Sequence, residues 1–232
     1  MIGDYKFRTE LHAHTNPASS CSDIPAKRLV ELYADCGYDT LCITNHFIPS
    51  STNLTKDKYI EYYMSDYYTA KKHGEKLGIN VIFGAEYRLA ENCNDYLIYG
   101  IDENDLEELF DLSGLNIDEF YSKFKNDRRV ILQAHPFRNG IAQTLSVDGY
   151  EVFNMHPHHN QRTPFAAKLA SDKDMLVTCG SDCHHFGTEG CIAMLTKTNP
   201  KDSFDLAAII KSRDYLFELG GSIILPYPDM KV

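Results

Sequence analysis

Short runs of strand-forming residues alternate with helical patterns along nearly the whole chain, and this alternation constrains the fold most strongly. It is typical of βα units that build a parallel sheet. Strands are predicted at 7–12, 39–45, 80–85, 95–101, 129–134, 149–153, 175–179 and 192–195. Helices are predicted at about 22–37, 56–77, 103–112, 117–125, 164–169 and 204–210. The 232 residues suffice for a single α/β barrel, so we predict one domain over 1–232 with a short C-terminal tail after Gly221.

The charge balance narrows the choice of partners. The formal net charge is −10, and no cluster of Lys and Arg residues occurs. Proteins that bind nucleic-acid backbones generally need a basic face, so a nucleic-acid partner is not expected. A small anionic substrate remains compatible with this charge, because bound metal ions can invert the local sign.

The cysteines indicate a reducing compartment. Seven are present at irregular spacings, without a Cys-x-x-Cys motif. Residues 1–4 lead directly into the first predicted strand and do not resemble a secretion signal. We therefore expect reduced thiols in a cytoplasmic protein rather than a disulfide framework. No apolar run approaches the length of a membrane span, so no membrane partner is expected.

His12 and His14 stand two positions apart at the end of the first predicted strand. Alternate residues of a strand point to the same face, so both imidazoles are expected to project together, which suits a divalent metal. An isolated His-x-His is more often a pair of surface histidines. Its meaning therefore depends on the rest of the chain.

Further histidines and carboxylates stand at the C-terminal ends of later predicted strands, where parallel α/β sheets form their ligand sites. The full set comprises His12, His14, His46, Glu86, His135, Asp182 and His184. Seven such ligands exceed the needs of one catalytic cation. We therefore predict two or more divalent ions, with Glu86 able to bridge them. The mixture of imidazole and carboxylate suits Zn, Mn or Fe without choosing among them.

These residues fall in motifs that resemble the PHP (polymerase and histidinol phosphatase) family. The motifs are His12-Ala13-His14, Thr44-Asn45-His46, Gly84-Ala85-Glu86, Ala134-His135-Pro136, Glu151-Val152-Phe153-Asn154 and Gly180-Ser181-Asp182-Cys183-His184. They occur in the family's order and extend over about 7–195. The resemblance implies a distorted, TIM-like (β/α)7 barrel with a di- or trinuclear metal centre and phosphoesterase chemistry.

Carried over by position, the resemblance identifies the same seven residues as metal ligands. The family often places a carboxylate or a His a few residues after His-x-His, and Asp23 is the nearest match to that residue. Asn45 stands where the family usually has Asp, and the fourth strand reads Asn94-Asp95-Tyr96-Leu97 where many members have His. The resemblance thus implies two or three Zn, Mn or Fe ions.

The expected activity is hydrolysis of a phosphomonoester or phosphodiester of a small molecule by a metal-activated water. Guanidinium groups commonly bind phosphate. Arg138 is the first candidate, Arg162 with His159 the second, and Arg88 the third. Glu151 is expected to face the rim of the site or to orient a ligand. A non-catalytic or regulatory metal-binding barrel, a nuclease and a histidinol-phosphatase-like enzyme remain alternatives, and no motif specifies the oligomeric state.

Overall fold

The computed structural model describes residues 1–138 and 142–230. Within them the chain forms β1 (Phe7–Ala13), α1 (Ala26–Asp35), β2 (Thr40–Ile43), β3 (His46–Phe47), α2 (Lys56–Leu77), β4 (Asn80–Phe83), β5 (Ala85–Arg88), β6 (Asp95–Tyr99), α3 (Leu106–Leu112), α4 (Ile117–Phe124), β7 (Val130–Gln133), β8 (Gly149–Asn154), α5 (Thr163–Asp172), β9 (Leu176–Gly180), β10 (Ile192–Thr196), α6 (Ser203–Ser212), β11 (Leu216–Leu219) and β12 (Ser222–Ile224). None of these helices is both long and apolar enough to cross a bilayer.

The strands form two mixed sheets of six strands each, in the orders β12-β11-β10-β1-β2-β4 and β3-β5-β6-β7-β8-β9. The α/β class is therefore confirmed. The predicted TIM-like (β/α)7 barrel is not: no closed barrel is found in residues 1–138 and 142–230. One reason is that β6 runs antiparallel to both β5 and β7. The connection 89–94 is too short for the helical crossover that a parallel neighbour needs.

The C-terminal segment differs most from expectation. The sequence pattern predicts a tail after Gly221, whereas residues 222–224 pair with β11 as β12. Gly220 and Gly221 have φ angles of 55° and 81°, as a two-residue hairpin turn requires. Beyond the hairpin, the Tyr227 hydroxyl accepts a hydrogen bond from the Val177 backbone N–H at 3.1 Å. The final two residues of the predicted tail, 231–232, lie outside the described part.

The tyrosines of α2 support the loop that follows β2. Tyr59 and Tyr63 are buried, whereas Tyr62 and Tyr68 are exposed, so the helix is amphipathic as its spacing predicts. The Tyr63 hydroxyl donates to the Asn45 carbonyl at 2.8 Å. The Tyr59 hydroxyl accepts a hydrogen bond from the Ile48 backbone N–H, also at 2.8 Å. These bonds fix the short strand β3 that carries His46.

Candidate metal centre

The ends of strands from both sheets bring together the residues that the sequence predicts as ligands. The first sheet supplies His12 from β1 and His14 just beyond it. The second sheet supplies His46 from β3, Glu86 from β5, His135 after β7, and Asp182 with His184 after β9. The site therefore lies where the two sheets meet.

His12, His14, Glu86 and Asp182 form what we call the central cluster. One potential ligand atom from each lies within 4.8 Å of the other three. His12 Nε2 is 3.4 Å from both Glu86 Oε2 and Asp182 Oδ1, and His14 Nε2 is 3.3 Å from the same two oxygens. All four atoms are buried without a hydrogen-bond partner. Burial of a polar atom without a hydrogen-bond partner destabilises the folded state unless another group bonds to it.

A small cation fits this arrangement. Tetrahedral zinc with nitrogen and oxygen ligands at about 2.0–2.1 Å holds those ligands about 3.3–3.4 Å apart. The four nitrogen–oxygen distances in the central cluster have the same size. Unpartnered lone pairs that converge at this spacing are what a metal ion requires.

Glu86 connects the central cluster to two further histidines. Its Oε1 is 2.9 Å from His135 Nε2, and its Oε2 is 2.8 Å from His46 Nδ1. The second contact lacks hydrogen-bond geometry, since both atoms remain without a hydrogen-bond partner. The two oxygens thus face different imidazoles, as a bridging carboxylate does.

Asp95 is a candidate ligand that sequence reasoning missed. It groups with His46 and Glu86, and its Oδ2 lies 3.7 Å from His135 Nε2. Arg88 holds it through two bonds of 2.6 and 2.8 Å. The only available signal was its position on the strand where the PHP motif usually has a histidine. Arg88, the third candidate for phosphate binding, is therefore engaged with Asp95.

Supporting carboxylates orient His12 and the segments beside it. His12 Nδ1 is 2.7 Å from Glu151 Oε1, so its Nε2 is directed into the cluster. Glu151 Oε2 also accepts from the His135 backbone N–H at 3.1 Å. The fully buried Glu10 accepts backbone N–H bonds from His12 at 2.9 Å and from Ser181 at 3.0 Å. Glu10 thereby ties β1 to the segment that carries Asp182.

Two ligand positions have an uncommon backbone conformation. His135 has a φ of 30° and Asp182 has a φ of 53°, in the left-handed region that non-glycine residues seldom adopt. Such strain persists only where surrounding contacts fix it, and it concentrates at functional sites. The Asp182 backbone N–H donates to the His12 carbonyl at 2.9 Å, which fixes this turn.

Neighbouring charges in and around the central cluster shift the pKa values of its members. Burial works to lower the pKa of His12, but Glu151, Asp182 and Glu86 outweigh it and raise that pKa well above its usual value. Burial, with His184 and His46 nearby, lowers the pKa of His14 well below normal. Burial works to raise the pKa of Asp182, but His12 and other histidines hold it well below its usual range. The carboxylates are therefore ionised near neutral pH, and protons compete with any cation for the imidazoles.

The predicted substrate-binding residues divide into near and far groups. Arg138 reaches the cluster, where its Nη2 donates to Asp182 Oδ2 at 2.6 Å and to Asn154 Oδ1 at 3.0 Å. Arg162 is exposed at the start of α5. His159 is also exposed, and its ring centre lies 4.4 Å from that of His156.

His156 stands between His159 and the ligands. Its ring centre is 5.4 Å from that of His184. Burial, which outweighs the attraction of Asp182, lowers the pKa of His156 to about 4, so this imidazole is neutral at pH 7. The sequence predicts His159 as a substrate contact in the loop between β8 and α5, whereas the structure places His156 of the same loop beside His184.

The structure does not bring Asp23 to the ligands. Its Oδ2 lies 3.2 Å from His185 Nδ1, and its side chain is 56% exposed. Cys21, from the same loop, instead lines a cavity together with His46. Burial works to raise the pKa of Cys21, but the nearby His184 and His46 outweigh it and lower the pKa to about 6.

Fold and site together define an α/β protein with a buried imidazole–carboxylate cluster that can hold metal ions. The family model of the PHP domain matches residues 10–173, more than half of the 232 residues. The chain therefore belongs to the PHP family. No curated protein sequence matches it.

Solved structures share the fold at low identity. One is a two-domain protein from Bacteroides vulgatus that contains a predicted PHP-like metal-dependent phosphoesterase, with TM-score 0.63, 17% identity and coverage of 93% of this chain and 66% of that one. The present chain thus spans less than two thirds of that protein. PsfC from Pseudomonas syringae gives TM-score 0.55 at 19% identity, covering 82% and 81%.

A third solved structure is an amidohydrolase from Chromobacterium violaceum with bound sulfate and no metal. It gives TM-score 0.54 at 13% identity, covering 95% of this chain and 98% of that one. At identities this low, all three likenesses show the fold alone. The activity of this chain must therefore be argued from its own residues.

Proposed function

We propose that this protein is a metal-dependent phosphoesterase that hydrolyses a phosphomonoester or phosphodiester of a small molecule. The observation that carries the proposal is the convergence of four buried, unpartnered ligand atoms in the central cluster. Membership of the PHP family supports the same reading. The net charge of −10 favours a small molecule over a nucleic acid.

Two or three divalent ions, of Zn, Mn or Fe, are proposed. His12, His14, Glu86 and Asp182 would hold one. Glu86 and His135, with Asp95 beside them, would hold another. His46 and His184 are also proposed as ligands, whereas Asp23 is omitted because it contacts His185. When bound, such ions polarise phosphate oxygens and increase the acidity of water.

Arg138 is proposed to orient the phosphate. Its Nε and Nη2 contact Gln161, Asn154 and Asp182, which fixes the plane of the guanidinium beside the cluster. Guanidinium N–H groups match the geometry of phosphate oxygens, and we assign this contact to Nη1. His159 and Arg162 are proposed to contact the substrate beyond the phosphate, with the neutral His156 between them and the cluster.

The test combines elemental analysis with a panel of phosphomonoesters and phosphodiesters assayed with added Zn, Mn or Fe. His12→Asn should abolish metal-dependent turnover, a larger loss than the about 10–100-fold expected for a supporting residue. His73→Asn is the matched control, because His73 contacts Glu31 on the helical surface and should leave turnover unchanged.

The panel also includes carboxylic amides and an oligonucleotide. Metal binding without turnover of any compound would indicate a non-catalytic metal protein. Turnover of amides alone would indicate an amidohydrolase, and turnover of the oligonucleotide alone would indicate a nuclease. Each of these three results would overturn the proposal.

A further inference from the structure

Behind His14, on the side away from the central cluster, polar side chains form a continuous series of hydrogen bonds that we call the polar chain. It begins at Ser19, passes through Asn45 and Thr15, and ends at Asp66 of α2. All four side chains are buried, with Asp66 the most accessible at 7% exposed. Their protons must therefore be accounted for by bonds within the protein.

Asp66 fixes the direction of the polar chain. Its Oδ2 accepts hydrogen bonds from Thr15 Oγ1 at 2.8 Å and from the Ala18 backbone N–H at 3.0 Å. A carboxylate can only accept, so the single hydroxyl proton of Thr15 points to Asp66. The Thr15 oxygen is left to accept, and it does so from Asn45 Nδ2 at 2.8 Å.

A backbone donor fixes the orientation of the Asn45 amide independently. The Thr15 backbone N–H donates to Asn45 Oδ1 at 2.7 Å, so the atom at this position must be the oxygen. The same Oδ1 is 3.0 Å from Ser19 Oγ, from which it accepts a second hydrogen bond. The only hydroxyl proton of Ser19 is therefore directed at Asn45.

Ser19 can then act only as an acceptor toward its other two neighbours. The His46 backbone N–H donates to Ser19 Oγ at 2.9 Å, and His14 Nδ1 lies 3.1 Å from the same oxygen. Because the hydroxyl proton is already used, His14 Nδ1 must carry a proton and donate it. The lone pair of the neutral ring is consequently on Nε2, the atom that lies unpartnered 3.3 Å from both Glu86 Oε2 and Asp182 Oδ1.

We propose that Ser19 is a positioning residue for His14: through the polar chain that ends at Asp66, it holds the imidazole proton on Nδ1 and so presents the Nε2 lone pair to a cation. His12 makes the corresponding contact directly with a carboxylate, that of Glu151. For His14 the carboxylate acts at a distance, through two hydroxyls and an amide. The proposal rests on the metal binding in the proposed function, but not on the reaction.

The polar chain requires an amide at position 45 and a carboxylate at position 66. With carboxylates at both positions, two acceptors would compete for the one hydroxyl proton of Thr15, and two buried negative charges would repel. With the two residue types exchanged, the amide at 66 could donate to Thr15 and the carboxylate at 45 could accept from it. The carboxylate at 45 would still accept from Ser19.

Nitrogen NMR of the imidazoles in the metal-free full chain tests the proposal without metal or substrate. A ring nitrogen that carries a proton differs in chemical shift from one with a lone pair, and His14→Asn identifies the signals of His14 by their loss. The wild type should carry the His14 proton on Nδ1. A proton on Nε2 with a lone pair on Nδ1 would overturn the proposal.

Metal titration of variants measures the consequence. Ser19→Ala should lower metal affinity about 10–100-fold, as expected when the partner of a ligand is removed. Ser20→Ala is the matched control, because Ser20 is the exposed neighbour in the same loop, and it should bind metal as the wild type does. Equal affinity in the two variants would overturn the proposal.

The exchange variant tests the polar chain as a unit. Asn45→Asp should weaken metal binding, and the combined Asn45→Asp and Asp66→Asn variant should bind more tightly than Asn45→Asp alone. No recovery, with both proteins folded by urea unfolding, would overturn the part assigned to Asp66. Failure of the wild type to bind any metal, with the His14 proton found on Nδ1, would overturn the proposed function and not the tautomer.

Discussion

Glu151 illustrates how the centre depends on residues that do not contact a substrate. Its 2.7 Å contact with His12 Nδ1 directs the opposite nitrogen into the cluster. We predict that Glu151→Gln lowers metal affinity about 10–100-fold, because the amide cannot replace the charged partner of the imidazole. Competition with a metallochromic chelator measures the change.

Glu75→Gln is the control for this variant, since Glu75 is an exposed residue of α2. It should bind metal as the wild type does. Equal affinity in wild type and Glu151→Gln would show that His12 is oriented by its backbone alone.

His184 gives a prediction about pH. Burial works to lower the pKa of His184, but Asp182 and the nearby Cys21 outweigh it and raise the pKa to about 9, against about 6.5 when unfolded. A histidine whose pKa is higher in the folded state stabilises the fold by its full amount when the pH is below the unfolded pKa. This contribution is lost as the pH rises from about 6.5 to about 9. In the metal-free protein, His184→Asn should therefore lower the free energy of unfolding by about 2–3 kcal/mol more at pH 6 than at pH 9.

Urea unfolding of wild type and His184→Asn at both pH values, in the presence of a chelator, measures this difference. The same cost at pH 6 and pH 9 would contradict the prediction. The comparison uses the metal-free protein because a bound cation would itself displace the proton.

The candidate ligands were predictable from the sequence to different degrees. His12, His14, Glu86 and Asp182 could be placed because they end strands and occur in recognisable motifs. Asp95 could not, because it stands on the strand where the motif usually has a histidine. Only the folded loop shows that the Asp23 carboxylate lies beside His185 rather than among the candidate ligands.

At the scale of elements, the close packing of β9 against β1 depends on Gly180. A Cβ at this position would lie 2.4 Å from His12 Cβ and 2.5 Å from Glu151 Oε1. We predict that Gly180→Ala destabilises the protein by about 1–3 kcal/mol, because the strands must separate. Metal affinity should fall with it, since both displaced groups orient the central cluster.

Gly114→Ala is the matched control, because a Cβ there would meet no atom within 4 Å. Urea unfolding and metal titration of the two variants make the comparison. A Gly180→Ala protein as stable as Gly114→Ala would show that β9 can move without consequence.

Element prediction succeeded where periodicity is long and failed where elements are short. The helix α2 was predicted over the same residues that it occupies, 56–77. The two-residue strand β3 is too short to show an alternating pattern. The hairpin of β11 and β12 was missed although Gly220-Gly221 is a turn signal. The antiparallel direction of β6 was also missed, although the short connection 89–94 leaves no room for a helical crossover.

For the whole molecule, the centre joins the two sheets. His12 belongs to the first sheet and His14 follows its strand β1, whereas Glu86 belongs to the second sheet and Asp182 follows its strand β9. A cation that binds only the folded state stabilises it by mass action, by about 2.7 kcal/mol at one hundred times its dissociation constant. We therefore predict that a chelator lowers the melting temperature of the metal-loaded protein.

Differential scanning calorimetry with and without chelator measures this shift, and Asp182→Asn should reduce it. Asp172→Asn is the control, because Asp172 is exposed on the surface of α5, where its carboxylate accepts hydrogen bonds from Lys168. A melting temperature unaffected by chelation would mean that the sheets associate without help from metal.

The bond between Glu10 and the Ser181 backbone spans 171 positions of the chain, and this separation governs when the centre can exist during synthesis. A nascent chain still lacking β9 has His12 and His14 but neither Asp182 nor His184. Such a chain cannot assemble the full ligand set, and closing so long a loop is slow. Under the proposed function, capture of a cation by the full set would therefore follow the synthesis of β9 and the residues just beyond it.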